Sequence, residues 1–446
     1  MNNILHLFIK YVSLNVLGMI GLSCYILADT FFVARGIGSD GLTALNIAIP
    51  IFNFVNGIGL MLGMGSATKY AILKAQNKNN EANIVFTNSL IYILIISVLF
   101  ISVSIFFTYH IAYILGARGN IHSMTNIYIK MILLFSPMFM LNNVLLGFVR
   151  NDNHPRLAMI AMLMGSLFNI VFDYIFIFPF NMGIFGAVLA TVFSPIVSIL
   201  ILSALFIKKK NTFFIVKPNI SFRKFFEISS LGVSFLITEV SSGFVILSFN
   251  IIILNIAGDV GVAAYGITAN IALVIIAIFT GMGQGVQPII SINYNNQDNI
   301  NKIYKYAVIL STSISIFVYI ITYLFANEIT SIFNRDNIEE LQRISVNGLR
   351  IYFTAFIFVG YNIITCVYFS SRDKAKQAFI ISILRGFIFI MPSIFILSSI
   401  FNMTGVWLSF PVAEILTSIF AFIFFINKNK SCTGARHIAV RNSLIS

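Results

Sequence analysis

Twelve runs of roughly 20 apolar residues fill this chain, and they leave a bundle of membrane-crossing helices as the fold to expect. With approximate edges they cover 12–33, 43–68, 86–108, 127–148, 157–178, 184–207, 228–254, 262–288, 303–325, 347–369, 378–399 and 404–426. Charged residues make up only 10% of the 446, against about 25% in an ordinary soluble domain. Mean hydropathy is +0.93. The first run passes straight into the second with no A-x-A-like site after it, so no cleavable signal peptide is expected.

The net charge of +13 raises the question of nucleic acid, and its distribution answers it. If the N-terminus is cytoplasmic, 21 Lys and Arg fall on the cytoplasmic side and 6 on the other, with Arg385 left inside span eleven. That asymmetry is the positive-inside pattern. It predicts a multi-pass protein of the plasma (cell inner) membrane with both termini cytoplasmic and no nucleic-acid partner.

The chain is also written twice. Gly63-Met64-Gly65 recurs as Gly281-Met282-Gly283, and each copy precedes an Asn-rich polar segment. Asn143 corresponds to Asn362, Asn181-Met182 to Asn402-Met403, and Gly186 to Gly405. The expected fold is therefore an all-α membrane protein of twelve transmembrane helices in two pseudo-symmetric six-helix lobes. Residues 1–207 form the first lobe and 228–427 the second. Segment 208–227, carrying Lys208-Lys209-Lys210, Lys217, Arg223 and Lys224, is the cytoplasmic linker. A basic cytoplasmic tail, 428–446, is expected to lack fixed structure. The outer loop 326–346 is expected to hold a short amphipathic helix. Repeated bundles suit transport, because two similar lobes can rock about a central site.

Cys24, Cys366 and Cys432 are scattered, and the five histidines form no ligand pair, so neither a disulfide framework nor a metal cluster is expected. No catalytic constellation occurs, which argues against an enzyme. Pro50, Pro137, Pro195, Pro288, Pro392 and Pro411 lie within spans, where each removes a backbone donor and can kink its helix.

Acidic residues inside spans carry the sharpest functional signal, because a carboxylate in lipid must be paired or in use. Four qualify: Asp29 in span one, Asp173 in span five, Glu239 in span seven and Glu414 in span twelve. Asn169 lies one turn before Asp173, so amide and carboxylate share a helix face. The repeat places Asp29 beside Asn250, Asp173 opposite Pro392 and Glu414 opposite Pro195. The scaffold is symmetric and its ionisable groups are not. A site that couples ions or binds substrate has no need of that symmetry, whereas structural glue should repeat with the scaffold. Arg385, the basic residue well inside a span, is expected to make a structural pair with a carboxylate such as Glu414. Glu239 has no basic residue in its own span, so its partner is either Arg385 or a transported cation.

At these residues the chain resembles the multidrug and toxic compound extrusion (MATE) transporters, over almost its whole length. The resemblance rests on Ala28-Asp29-Thr30-Phe31-Phe32-Val33, on Gly63-Met64-Gly65, and on Arg150-Asn151-Asp152-Asn153. It continues through Asn169-Ile170-Val171-Phe172-Asp173, Gly186-Ala187-Val188-Leu189-Ala190-Thr191 and Gly281-Met282-Gly283-Gln284-Gly285-Val286-Gln287-Pro288. Each piece is weak alone; their order across two halves is specific. The branch it is most similar to, DinF-like with MepA-like pumps, implies a proton-linked network of Asp29, Asn169, Asp173 and Thr191, with Tyr128 and Asn143. A second branch, NorM-like, uses a Glu on helix seven and an Asp on helix ten for sodium. Glu239 could stand for the first, but span ten holds only Asn362, which argues against a complete sodium site.

The resemblance implies a V-shaped antiporter that exports lipophilic, cationic, drug-like small molecules in exchange for protons or sodium. It implies no cofactor, and a monomer in the lipid bilayer. Glu239 and Glu414 are the candidate ion or substrate residues of the second lobe, with a possible sodium ion at Glu239. The alternative is a lipid-linked oligosaccharide flippase or polysaccharide exporter of the same superfamily, which would line its cavity with cations. A membrane scaffold without transport is a further rival, and the asymmetric carboxylates count against it.

Overall fold

The computed structural model describes residues 2–334 and 337–443, with side chains described from Ile4 to Asn427. Arg335 lies outside the described residues, as do the side chains of the basic tail (Lys428, Lys430, Arg436 and Arg441) and Cys432 and His437. Every regular element among the described residues is helical. Among the described residues, nine helices are long and apolar enough to cross a bilayer, and a bent pair, Gly119–Leu134 with Ser136–Asn151, makes ten. Two of the ten are double crossings, so the bundle has the expected twelve spans.

The first double crossing is the 71-residue helix Phe222–Ile292. At 1.5 Å per residue a straight helix of that length would measure roughly 100 Å, against a hydrocarbon core of about 30 Å. It turns back at Gly258, where φ is 60° and ψ is −156°, a conformation essentially confined to glycine. In the first half, Gly38 makes the same turn between Asn2–Gly36 and Ser39–Ala75, with φ 91° and ψ −165°. The second double crossing turns at Asn402, φ 51° and ψ −132°, and its counterpart Asn181 also has φ 51°. Asn153 and Asp373 form a third matched pair, with φ of 65° and 60°. The internal repeat is thus preserved in the backbone turns that reverse the chain.

The remaining elements follow the sequence pattern. Span four bends by 48° at its break, where Pro137 sits in the first turn of its second piece. Span eleven loosens into a π-turn at Leu384–Ile388, one turn before Pro392. Proline supplies no N–H to the preceding turn, which is a common setting for such a bulge. The outer loop holds the short helix Ala326–Phe333, as expected. The tail corrects one expectation: the backbone of Ile390–Ser443 stays helical past Asn427, where the composition suggests no fixed structure.

Each lobe has its own apolar core. Span one belongs to both. Its outer end contributes Val33 to the first-lobe core, and its N-terminal end contributes Phe8, Tyr11 and Val12 to the second. Span seven reciprocates by placing Ile228 in the first-lobe core. The linker is not slack. Phe213 is fully buried among the rings of Phe86, Phe148 and Phe206. The main-chain N–H groups of Phe214, Val216 and Asn219 donate to Asn83, Thr87 and Asn88 on span three.

Candidate functional site

The first-lobe site is built by spans one, four, five and six. Asp29 and Asp173 are 7% and 0% exposed, and their carboxyl groups contact each other. Span five brings Asn169 one turn from Asp173. In the amide orientation that satisfies its neighbours, Asn169 Nδ2 donates to Asp173 Oδ2 at 3.0 Å and Oδ1 accepts from the Thr191 N–H at 3.3 Å. Tyr128 is buried beside Thr191 and faces both acids. One oxygen of each carboxyl group, Asp29 Oδ1 and Asp173 Oδ1, is buried without a partner. No salt bridge reaches either acid among the described residues. A paired carboxyl group with spare acceptors and no fixed cation is chemically equipped to take a proton or a small cation.

Asn143 lies elsewhere. Its Nδ2 donates to Asn56 Oδ1 at 2.9 Å, and Asn56 Nδ2 donates to Glu239 Oε2 at 3.4 Å. The residue grouped with the proton network by resemblance therefore supports a chain that crosses between lobes and ends on Glu239. Asn53 makes a second crossing to Ser242 Oγ at 3.3 Å. Tyr25, one turn before Asp29, lies within electrostatic range of Asp29, Asp173 and Glu239 and so links the two clusters. Asn53, Asn56 and Tyr25 escape a search for charged residues. The i, i+4 spacing of Tyr25 and Asp29 is the signal that could have found one of them.

The second lobe holds a different arrangement. Arg385 Nε donates to Glu414 Oε1 at 2.5 Å, and Asn362 Nδ2 donates to Glu414 Oε2 at 2.8 Å. Glu414 is 1% exposed. The expected structural pair is present, and it leaves Glu239 without Arg385 as a partner.

The lobes meet over the half of the bundle that carries the basic loops. From Asn53 and Ser242 at mid-depth, contacts run to that end. Gln287 Nε2 donates to Thr68 Oγ1 at 2.9 Å, Asn151 Nδ2 donates to Gln287 Oε1 at 3.2 Å, and Asn295 Nδ2 donates to Ala75 O at 2.8 Å. Gly232 allows the closest approach: a Cβ there would sit 1.9 Å from Met61 O. Lys69 and Glu227 add an ion pair at 3.9 Å. The described cross-lobe hydrogen bonds run from mid-depth to this end, so the bundle is clasped at its basic end.

Comparison with known proteins decides the family. The family model described as MatE matches residues 16–175 and 235–396, one block in each lobe. The chain belongs to the MatE family. Members of this family are transporters, not enzymes. The MatE protein described as multidrug export protein MepA, from Staphylococcus aureus strain MSSA476, is 27% identical over 406 residues, covering 90% of this chain and 88% of its own. A crystal structure of MATE in complex with MaL6 superposes with a TM-score of 0.90 at 22% identity, covering 96% and 97% of the two chains. A structure described as the outward-facing conformation of a multidrug resistance MATE family transporter gives 0.88 at 23% identity, covering 96% of each. The two-lobe, twelve-helix MatE fold is thereby established for this chain.

Proposed function

We propose that this MatE protein is a secondary active antiporter that exports lipophilic, cationic organic compounds in exchange for protons. The carrying observation is the buried Asp29–Asp173 contact with no cationic partner among the described residues. Two carboxyl groups in hydrogen-bonding contact share a proton, and a positive charge arriving nearby competes with it. The multidrug export named for the similar staphylococcal protein supports a broad, drug-like substrate range. Glu239, whose carboxylate is reached by a neutral amide and by no cation among the described residues, is the acid we assign to the substrate's positive charge. Sodium at Glu239 is the competing use of the same group.

Span one supplies the link between ion and gate. It is packed into the first-lobe core near Asp29 and into the second-lobe core near Tyr11. A displacement at the acid pair therefore pulls on the clasped end. With the basic side cytoplasmic, the present state is closed to the cytoplasm, and uncoupling the Gln287 contacts would open it. Arg385 weighs against the flippase alternative, since Glu414 already neutralises it and leaves no free cation there for a phosphate. The test is dye efflux from vesicles with proton and sodium gradients imposed separately. Efflux driven by an inward proton gradient alone is expected. Efflux that requires sodium would replace the proton by sodium, and no efflux under either gradient would overturn the antiport reading.

A further inference from the structure

We propose that the interlobe linker is a preformed binding site for an anionic phospholipid of the leaflet it faces, which the reading above takes as cytoplasmic. Six basic residues, Lys208, Lys209, Lys210, Lys217, Arg223 and Lys224, stand between 208 and 226 with no acidic residue among them. Arg223 is partnered by Glu227 at 3.2 Å; the other five make no salt bridge among the described residues. Topology alone needs such charges only on the correct side, and a slack loop would serve. Here the strand is pinned. Besides the three main-chain bonds to span three, Asn88 Nδ2 donates to Asn219 O at 2.8 Å and the Tyr92 hydroxyl donates to Ser221 O at 3.2 Å. At the other end the Thr212 N–H donates to Asp152 Oδ2 at 2.9 Å, and Lys74 Nζ donates to Thr212 Oγ1 at 2.6 Å. The backbone that carries Lys217 is therefore held in place before any ligand arrives.

A groove of about 530 Å³ runs between the pinned strand and span three, lined by Asn80, Ile84, Val216, Lys217, Asn219 and Ile220. Just beyond Ile220 in the chain, on the first turns of span seven, Phe222 and Phe226 are strongly exposed, at 86% and 66%. A soluble anion would satisfy Lys217 and leave these rings in place. A glycerophospholipid with a net negative headgroup satisfies both, with phosphate at the cations and acyl chains along Ile220, Phe222 and Phe226. Clustered cations beside a membrane segment gain roughly fivefold in affinity for anionic lipid per residue.

The experiment is thermal melting of the detergent-purified full chain, titrated with phosphatidylglycerol or phosphatidylcholine in mixed micelles. We expect a saturable rise in melting temperature with phosphatidylglycerol and none of that size with phosphatidylcholine. The double variant Lys217→Gln/Lys224→Gln should need roughly 25-fold more phosphatidylglycerol, and Lys217→Arg/Lys224→Arg should restore the wild-type titration. Ile220→Ser/Phe222→Ser should weaken it with every cation intact. The control Lys302→Gln/Lys305→Gln, on the same side of the bundle, should titrate as wild type. Where a variant is poorly folded, mass spectrometry of phosphatidylglycerol retained by the folded fraction gives the same comparison. Equal stabilisation by phosphatidylcholine, an equal loss in the Lys302/Lys305 control, or full reproduction by inorganic phosphate would each overturn the proposal. No gradient is applied, so failure here is separate from failure of the efflux test.

Discussion

The two lobes share a backbone plan and differ in how they treat buried charge. In the first, Asp29 and Asp173 touch each other and have neutral neighbours: Asn169, Thr191 and Tyr128. In the second, Glu414 is neutralised by Arg385 and braced by Asn362. A carboxylate with a fixed cation has little reason to exchange it, because breaking a buried pair strands the remaining charge. A carboxyl pair without one can be served by a proton that comes and goes. On the reading proposed above, ion exchange falls to the first lobe and structural duty to the Glu414 cluster, with Glu239 between them at the lobe interface.

The largest expected effect comes from removing the exchangeable groups. Asp29→Asn and Asp173→Asn should each reduce gradient-driven dye efflux by about 100-fold or more, the scale of a lost proton-transfer group. Amides keep size and hydrogen bonding, so melting temperature and membrane insertion should stay near wild type. Wild-type drug resistance in either variant would dissolve the contrast between lobes.

The second lobe should respond in the opposite sense. Glu414→Gln strands Arg385 in the membrane and should cost about 3–5 kcal/mol of stability. The double variant Glu414→Gln/Arg385→Leu should recover most of it, and the folded fraction should transport. A stable Glu414→Gln protein with no efflux would move Glu414 into the coupling machinery.

Glu239→Gln should sharpen the boundary. Its carboxylate accepts a single described hydrogen bond, from Asn56, so melting temperature should hold while cationic dye binding, measured by fluorescence in detergent, weakens roughly tenfold. Unchanged binding would leave Glu239 a role at the lobe interface alone.

The smallest effect is expected at the clasp. Gln287→Leu removes hydrogen bonds worth about 1 kcal/mol and should shift the state population about fivefold. In a background without the native cysteines, Asn53→Cys should then label faster from the basic side. An unchanged labelling rate would remove Gln287 from the gate.

Much of this was legible in the sequence because apolar length and charge placement are one-dimensional signals. The spans and the sidedness follow from them, and the recurring Gly-Met-Gly and Asn181–Asn402 positions made the repeat visible. A structural pair of Arg385 with a carboxylate such as Glu414 was to be expected, since a lone cation deep in a span needs an acid, but Glu239 was an equally open partner until the packing placed Arg385 on Glu414. What stayed hidden depends on which neutral groups meet across a lobe interface. The resemblance groups Asn143 with the proton network, and helix packing sets its amide on Asn56, which in turn reaches Glu239. Asn56 and Tyr25 carry no charge to mark them. The pinned linker was equally silent, because its partners Asn83, Thr87 and Asn88 lie 131 or 129 residues away.

Substrate-evoked proton release from the purified protein tests the central claim most directly. In weakly buffered detergent, saturating cationic dye should release about one proton per protein from the Asp29–Asp173 pair as the dye binds. Asp29→Asn and Asp173→Asn should still bind dye and release none. Dye binding without proton release in the wild type, or release that persists in both variants, would contradict the assignment of coupling to the first lobe.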